Sequence, residues 1–227
     1  MKPINSLAMD KNAVSSAAAL PETPDVFLVD DDPSVRRALA RLIKSAGHQV
    51  QTFASAQEFL GTRAGGEKAA CLVLDVRMPG ITGIELQRQL QALNRNVPIV
   101  FMTGHGNIPM SVQAMKAGAV DFLPKPVKDT DVLRAIEQAL ARAVRDRAER
   151  KELEDVRERV ERLTPRELEV MVLVVSGLLN KQIAFELGTV EKTIKVHRAR
   201  VMEKMQVDSL AHLVRLAEKI GIRDRSS

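Results

Sequence analysis

Apolar and polar positions divide this chain into two halves of different rhythm. In the first half, near-continuous apolar runs lie near 25–30, 48–53, 70–75, 97–102 and 119–123. Between them, apolar residues return every three or four positions, over Val35 to Ala46, Ala56 to Leu60, Gly83 to Leu93 and Pro109 to Ala117. Unbroken runs suit strands covered on both faces, and the longer period suits helices packed on one face. Alternation of this kind predicts a doubly wound five-stranded parallel sheet with right-handed crossovers. A fifth helix is predicted from near Asp129, where Asp129-Thr130-Asp131 offers an N-terminal cap.

That fifth helix has no stop signal. Leu133, Ile136, Leu140 and Val144 keep an apolar face, Leu153, Val156, Val160 and Leu163 a thinner one, and no Gly or Pro occurs between Val127 and Thr164. Charges of both signs crowd Arg145 to Arg162. Two readings stay open: a solvated linker helix laced with i,i+4 ion pairs, or a signalling helix that coils against a second copy. At Thr164 the rhythm changes. Thr164-Pro165-Arg166-Glu167 carries a hydroxyl cap, a proline at the first helical position and a glutamate three residues after the cap. Helical periodicity then fills 164–227, with turns at Gly177, Gly188 and around Gln206 to Asp208.

Composition adds constraints. A length of 227 residues fits one large or two small domains. No uncharged apolar stretch approaches the roughly 20 residues that span a bilayer, so no membrane partner is expected. The Ala-, Ser- and Pro-rich start, interrupted by Asp10-Lys11, lacks a signal peptide's apolar core and is read as a disordered leader over 1–23, with Met9 as an alternative start. Cys71 is the one cysteine and falls in a predicted core strand. A disulfide framework is therefore excluded, which fits a reducing, cytoplasmic setting. The net charge of +5 matters less than its placement. Lys192, Lys195, Arg198, Arg200 and Lys204 face only Glu203 in their stretch, and a local basic helix suits phosphate contact.

Candidate chemistry sits at the ends of the runs. The first ends in Asp30-Asp31-Asp32, the third in Asp75, the fourth in Thr103, and the fifth leads into Pro124-Lys125-Pro126. In a parallel sheet these ends share the edge where ligands of open α/β folds bind. Carboxylates are Mg2+ ligands and can also attack phosphorus to give an aspartyl phosphate. Asp75, alone at the end of a central run, is the expected nucleophile. An ammonium at Lys125 and a hydroxyl at Thr103 suit phosphoryl oxygens. Asp32 before Pro33 is expected to cap the first helix.

The segments Val29-Asp30-Asp31-Asp32, Leu74-Asp75-Val76-Arg77-Met78-Pro79-Gly80, Thr103-Gly104-His105 and Lys125-Pro126, in this order, resemble the receiver domain of bacterial two-component response regulators, over about 24–145. The resemblance implies that a sensor histidine kinase phosphorylates Asp75. It implies that Asp30, Asp31 and Asp75, with the backbone carbonyl of Arg77, hold Mg2+, Asp31 most directly among the first pair. Thr103 and Lys125 would bind the phosphoryl group, and Phe122 would serve as the switch aromatic, in place of the commoner Tyr. A cis bond between Lys125 and Pro126 is implied too. Arg77 and His105 occupy places that tune phosphoryl lifetime, and the flanking Gly104 and Gly106 suit a loop that moves.

Further on, Leu163-Thr164-Pro165-Arg166-Glu167, Gly177-Leu178-Leu179-Asn180-Lys181 and Thr193-Ile194-Lys195-Val196-His197 resemble the FixJ/NarL-type (LuxR-type) helix-turn-helix domain, over about 160–225. Ile194, Val201 and Met205 form the buried stripe expected for a recognition helix. The resemblance puts Lys195 and Val196 at base edges, makes Lys192, Arg198 and Arg200 candidates for phosphate or base contact, and lets Asn180 and Lys181 touch the DNA backbone. Two positions depart from the family pattern: Val190 stands where a capping Ser is common, and Ala199 where some relatives carry Lys. With Val190 there, either Thr189 caps one residue earlier or the cap is lost.

The expected architecture is thus an α/β receiver (CheY-like) over 24–145, a helical linker over 146–162, and a small all-α DNA-binding domain over 163–227. The resemblance implies a transcription regulator and no conventional enzyme. Phosphorylation would drive homodimerisation through the fourth helix and fifth strand, with Val112 and Lys116 as members, and promoter DNA and RNA polymerase would be the further partners. Two other readings are an enzyme that turns over an aspartyl phosphate and a protein that binds DNA regardless of its pocket.

Overall fold

The computed structural model describes residues 25–62, 69–104 and 108–222. The expected leader over 1–23, with Met9, and the residues His105 and Gly106 lie outside them. The chain forms two compact units, divided between Leu140 and Ala141.

The first unit runs β1 (Val26–Val29), α1 (Pro33–Ser45), β2 (Val50–Phe53), α2 (Ala56–Leu60), β3 (Cys71–Asp75), α3 (Gly83–Ala92), β4 (Ile99–Thr103), α4 (Ile108–Lys116), β5 (Asp121–Pro124) and the start of α5 (Asp129–Glu161). All pairings are parallel, in the order β2-β1-β3-β4-β5. The predicted sheet is present, with strand limits shifted by one or two residues. Alternate residues of β1, β3 and β4 enter opposite cores. Phe27, Val29, Leu72, Leu74 and Phe101 join Phe53, Phe59 and Leu86 on one face, and Val26, Leu28, Cys71, Val73, Val100 and Met102 join Ile43, Val132 and Ile136 on the other. Burying each such side chain fully contributes about 1.5–3 kcal/mol. β2 departs from the expectation of strands covered on both faces. It lies at the edge, and its Gln51 and Thr52 are exposed while Phe53 alone of the strand is buried.

Helix starts follow local chemistry. The Asp32 carboxylate accepts from the Ser34 and Val35 amides, with Pro33 at the first helical position, as expected. Thr82 and Glu85 form a capping box on α3. Asp129 and Asp131 stand inside the first turn of α5, not before it, where their charge complements the helix dipole.

In the second unit α6 (Pro165–Val175), α7 (Asn180–Glu186), α8 (Glu191–Lys204) and α9 (Leu210–Lys219) enclose Val170, Met171, Ile183, Ile194, Val201, Met205 and Leu213. Val156, from the later part of α5, belongs to this core, and Val160 and Leu163 pack on it. Thr164 and Glu167 make the predicted capping box. The turn between α7 and α8 passes through Gly188, whose φ of +62° disfavours a side chain.

Candidate functional site

The order of the strands fixes where the acids meet. From β1 the chain crosses to β2 on one side and returns to β3 on the other, so the switch point lies between β1 and β3, where open α/β sheets hold ligands. Val29 pairs with Leu74, which puts Asp30 beside Asp75 one step on. Asp75 pairs with Met102, and Thr103 with Pro124. Four strand ends therefore deliver Asp30, Asp75, Thr103 and Lys125 to one edge.

Carboxylate oxygens of Asp30, Asp31 and Asp75 all lie within 4.8 Å of one another. Asp30 is fully buried and both its oxygens are engaged. Oδ1 accepts from the Asp32 amide at 2.9 Å and Oδ2 from Lys125 Nζ at 2.7 Å. Lys125 Nζ also lies 3.2 Å from Asp75 Oδ1. Asp31 is exposed. The group is thus graded: a buried acid that anchors the lysine, a second acid at the pocket wall, and a third open to solvent.

The electrostatics follow from that grading. Burial pushes the Asp75 carboxyl above its ordinary range; Lys125 opposes the shift, and the Asp30 and Asp31 charges add to it. Burial also works against the Lys125 ammonium, but the hydrogen bonds and charges of Asp30 and Asp75 outweigh it, and the net shift is upward. An oxygen-only donor set with one exposed carboxylate fits a hard divalent cation. Cys71, by contrast, is pushed up to about 12 by burial, with the Asp25 charge adding to it, which leaves it a core thiol.

The remaining expected members occupy the same edge or its flank. Thr103 is buried at the end of β4, and the Lys125 amide donates to its carbonyl at 2.7 Å. Lys125–Pro126 is cis. Phe122 is half-buried, its ring 6.0 Å from that of Phe101. Arg77 is exposed two residues beyond Asp75. On α4, Val112 and Lys116 are both exposed, one turn apart, and Met115 beside them is exposed too.

Three pocket-shaping features are not evident in the sequence pattern. Gly83 opens α3 directly against the main chain of Asp75, and an added Cβ would stand 2.4 Å from the Asp75 carbonyl oxygen. Gln57 reaches from α2 to within 2.9 Å of where a Cβ would stand on Gly80. Arg36 donates from α1 to the main-chain carbonyls of Asp30 and Asp31. A glycine after a capping threonine hints at the first; nothing local signals the other two.

In the second unit, α8 buries Ile194, Val201 and Met205 at its core side and its end, as expected. Lys192, Lys195, Val196, Ala199 and Arg200 are exposed. Spacings of three and four gather Lys192, Val196, Ala199 and Arg200 into one stripe, with Lys195 at its border. Arg198 is different. It is half-buried, and its guanidinium donates to Asn180 Oδ1 at 3.2 Å, tying α8 to the start of α7. Lys181 is exposed and His197 half-buried. Val190 is the α8 N-cap with no side-chain bond, so the cap is lost and Thr189 does not supply it. Glu191 in the first turn offers a compensating charge, itself 3.2 Å from Lys195.

Comparison with known proteins agrees with this two-part layout. The family described as response regulator receiver domain matches residues 26–137, and bacterial regulatory proteins, luxR family, matches 161–217. Nodulation protein W of Bradyrhizobium diazoefficiens is 48% identical over 197 residues, covering 87% of this chain and 86% of that protein. The transcriptional regulatory protein FixJ of Rhizobium meliloti is 45% identical over 192 residues, covering 85% and 94%. The low-resolution structure of the response regulator StyR matches with a TM-score of 0.75 at 52% identity, covering 86% of this chain and 98% of that one.

Proposed function

Because the chain belongs to the bacterial two-component response regulators that join a receiver to a LuxR-type helix-turn-helix domain, we propose that Asp75 is its phosphoryl acceptor and that the modification governs promoter binding. As a member of that family it is a transcription regulator with a histidine kinase as partner and DNA as target. The observation that carries the finer reading is the contact of Lys125 with both Asp30 and Asp75 at the switch point of the sheet.

In the proposed reaction an Asp75 carboxylate oxygen attacks the phosphorus of a phosphohistidine. The new O–P bond forms as the P–N bond breaks, and the imidazole nitrogen leaves with the electron pair and takes a proton. Asp31, Asp75 and the Arg77 carbonyl would hold Mg2+, with Asp30 behind them. When bound, that ion neutralises charge on the phosphoryl oxygens. Lys125 moves from the carboxylates toward the new anion, Thr103 donates to it, and Phe122 follows. The exposed Val112 and Lys116 face of α4 then pairs with a second copy. Pairing makes two weak DNA contacts avid. Lys195 and Val196 read base edges; Lys192 and Arg200 hold phosphates, with Lys181 at the backbone. Arg198 and Asn180, bonded to each other, set the angle between α7 and α8. Bound next to a promoter, the dimer recruits RNA polymerase.

Incubation with a small phosphoramidate donor and Mg2+ tests this reading. Mass spectrometry should find one base-labile phosphoryl group, on Asp75, and Asp75→Asn should abolish it. Label on another residue overturns the assignment.

A further inference from the structure

Arg36 lies one turn into α1 and is half-buried. Its Nη1 donates to the Asp30 carbonyl at 2.7 Å and to the Asp31 carbonyl at 3.0 Å. Those carbonyls follow the end of β1, where the strand ladder has stopped and the chain turns into the helix. Two successive carbonyls drawn to one donor turn both peptide planes toward α1. The same short loop is pinned elsewhere, by the Asp30 amide on the Phe53 carbonyl at 3.3 Å and the Asp32 amide on Asp30 Oδ1 at 2.9 Å. Among the described residues no ion pair joins Arg36 to a carboxylate; its hydrogen bonds go to the main chain, while the Asp30 carboxylate is held by the Asp32 amide and Lys125.

We infer that Arg36 is a positioning residue for the acid loop: by holding the Asp30 and Asp31 carbonyls against α1 it keeps the two carboxylates turned into the pocket that would hold a divalent cation. The inference rests on the Mg2+ reading of that pocket. Both bonds come from the one nitrogen Nη1, whose two N–H directions are fixed in the guanidinium plane, whereas an ammonium is a point charge without that fixed geometry. Partners of metal ligands, as opposed to the ligands themselves, commonly govern affinity by orienting them.

Charge and geometry predict opposite signs here. As a bare cation, Arg36 repels a divalent ion, and its removal should tighten Mg2+ binding. As a clamp, it presents the ligands, and its removal should weaken binding. Calorimetric titration of the full chain with Mg2+ at fixed ionic strength separates the two, with metal-free thermal unfolding recorded alongside. Arg36→Ala should bind Mg2+ about 10-fold more weakly than wild type, with Arg36→Lys in between. Unchanged or tighter binding by Arg36→Ala overturns the inference. Should Arg36→Ala fail to fold, Arg36→Lys decides: weaker binding supports the clamp, and wild-type affinity overturns it. A wild type that takes up no Mg2+ sinks the Mg2+ reading itself, and is recognised from the first titration.

Discussion

Gly83 lies against the main chain of Asp75 so closely that a single added methyl would stand 2.4 Å from the Asp75 carbonyl oxygen and 3.1 Å from the Val76 Cα. The Gly83 amide also donates to the Val76 carbonyl at 3.0 Å. Helix α3 is thereby docked onto the end of β3, against the main chain of Asp75 and Val76. The clash would be with backbone, which cannot rotate away.

Gly83→Ala is therefore expected to destabilise the first unit by about 1–3 kcal/mol, as overpacking does, and to slow phosphoryl uptake by Asp75. Urea unfolding and mass spectrometry after donor treatment check both. Wild-type stability together with wild-type uptake would contradict the close approach.

Lys125 bridges Asp30 at 2.7 Å and Asp75 at 3.2 Å. Lys125→Met leaves those carboxylates without their cation. Because the lysine is partly exposed, the expected cost is about 2 kcal/mol, below the 3–5 kcal/mol of a fully buried pair. Added Mg2+ should stabilise the variant more than wild type, since one cation then replaces another. Thermal midpoints with and without Mg2+ measure the difference, and equal shifts would count against it.

Glu167 Oε2 accepts from Lys204 Nζ at 2.6 Å and from the Thr164 amide at 2.9 Å. The Lys204 hydrogen bond, then the Thr164 amide, hold the carboxyl at about 2, against 4.5 ordinarily. A lowered folded-state value gives stability that is present above the unfolded value and lost as pH falls toward the folded one. The gap in thermal midpoint between wild type and Glu167→Gln should be full at pH 6 and close between 4.5 and about 2. A gap that stays constant through that window would exclude the ionised pair.

Arg198 and Lys195 are three positions apart on α8 yet should fail differently. Lys195 is exposed, and Lys195→Ala should cost about 1–3 kcal/mol of discrimination between promoter and random DNA while leaving stability alone. Arg198 is bonded to Asn180, and Arg198→Ala should cost about 1 kcal/mol of stability. Gel-shift titrations paired with unfolding curves distinguish the two. The assignment fails if Arg198→Ala leaves stability unchanged.

Val112 and Met115 are exposed on α4 at 45% and 44%. Val112→Glu should leave phosphorylation intact and abolish the proposed phosphorylation-dependent dimer, because it places charge in the proposed pairing face. Light scattering before and after donor treatment shows the mass. A variant that still doubles in mass would move the pairing face elsewhere.

The acids, the threonine and the lysine are legible in the sequence because each terminates an apolar run, and runs in a parallel sheet end together. The caps at Asp32 and Thr164 are legible for a similar reason, since a cap and its amides lie within four residues. The edge position of β2 is not. Its sequence names an apolar start and finish, and only the strand order explains why Gln51 and Thr52 can face solvent.

By itself, then, the sequence determined the alternating sheet, the helical C-terminal unit and the polar groups at the strand ends. Those depend on periodicity and on contacts between near neighbours. The tertiary structure alone decided that Arg36 clamps the acid loop, that Gly83 supports Asp75, that Arg198 turns to Asn180 and that Lys204 neutralises Glu167. Each of these depends on how two elements pack, on side-chain reach and on backbone clearance. A pattern of apolar positions says which face of a helix is buried; it does not say what a long polar side chain at the border of that face will touch.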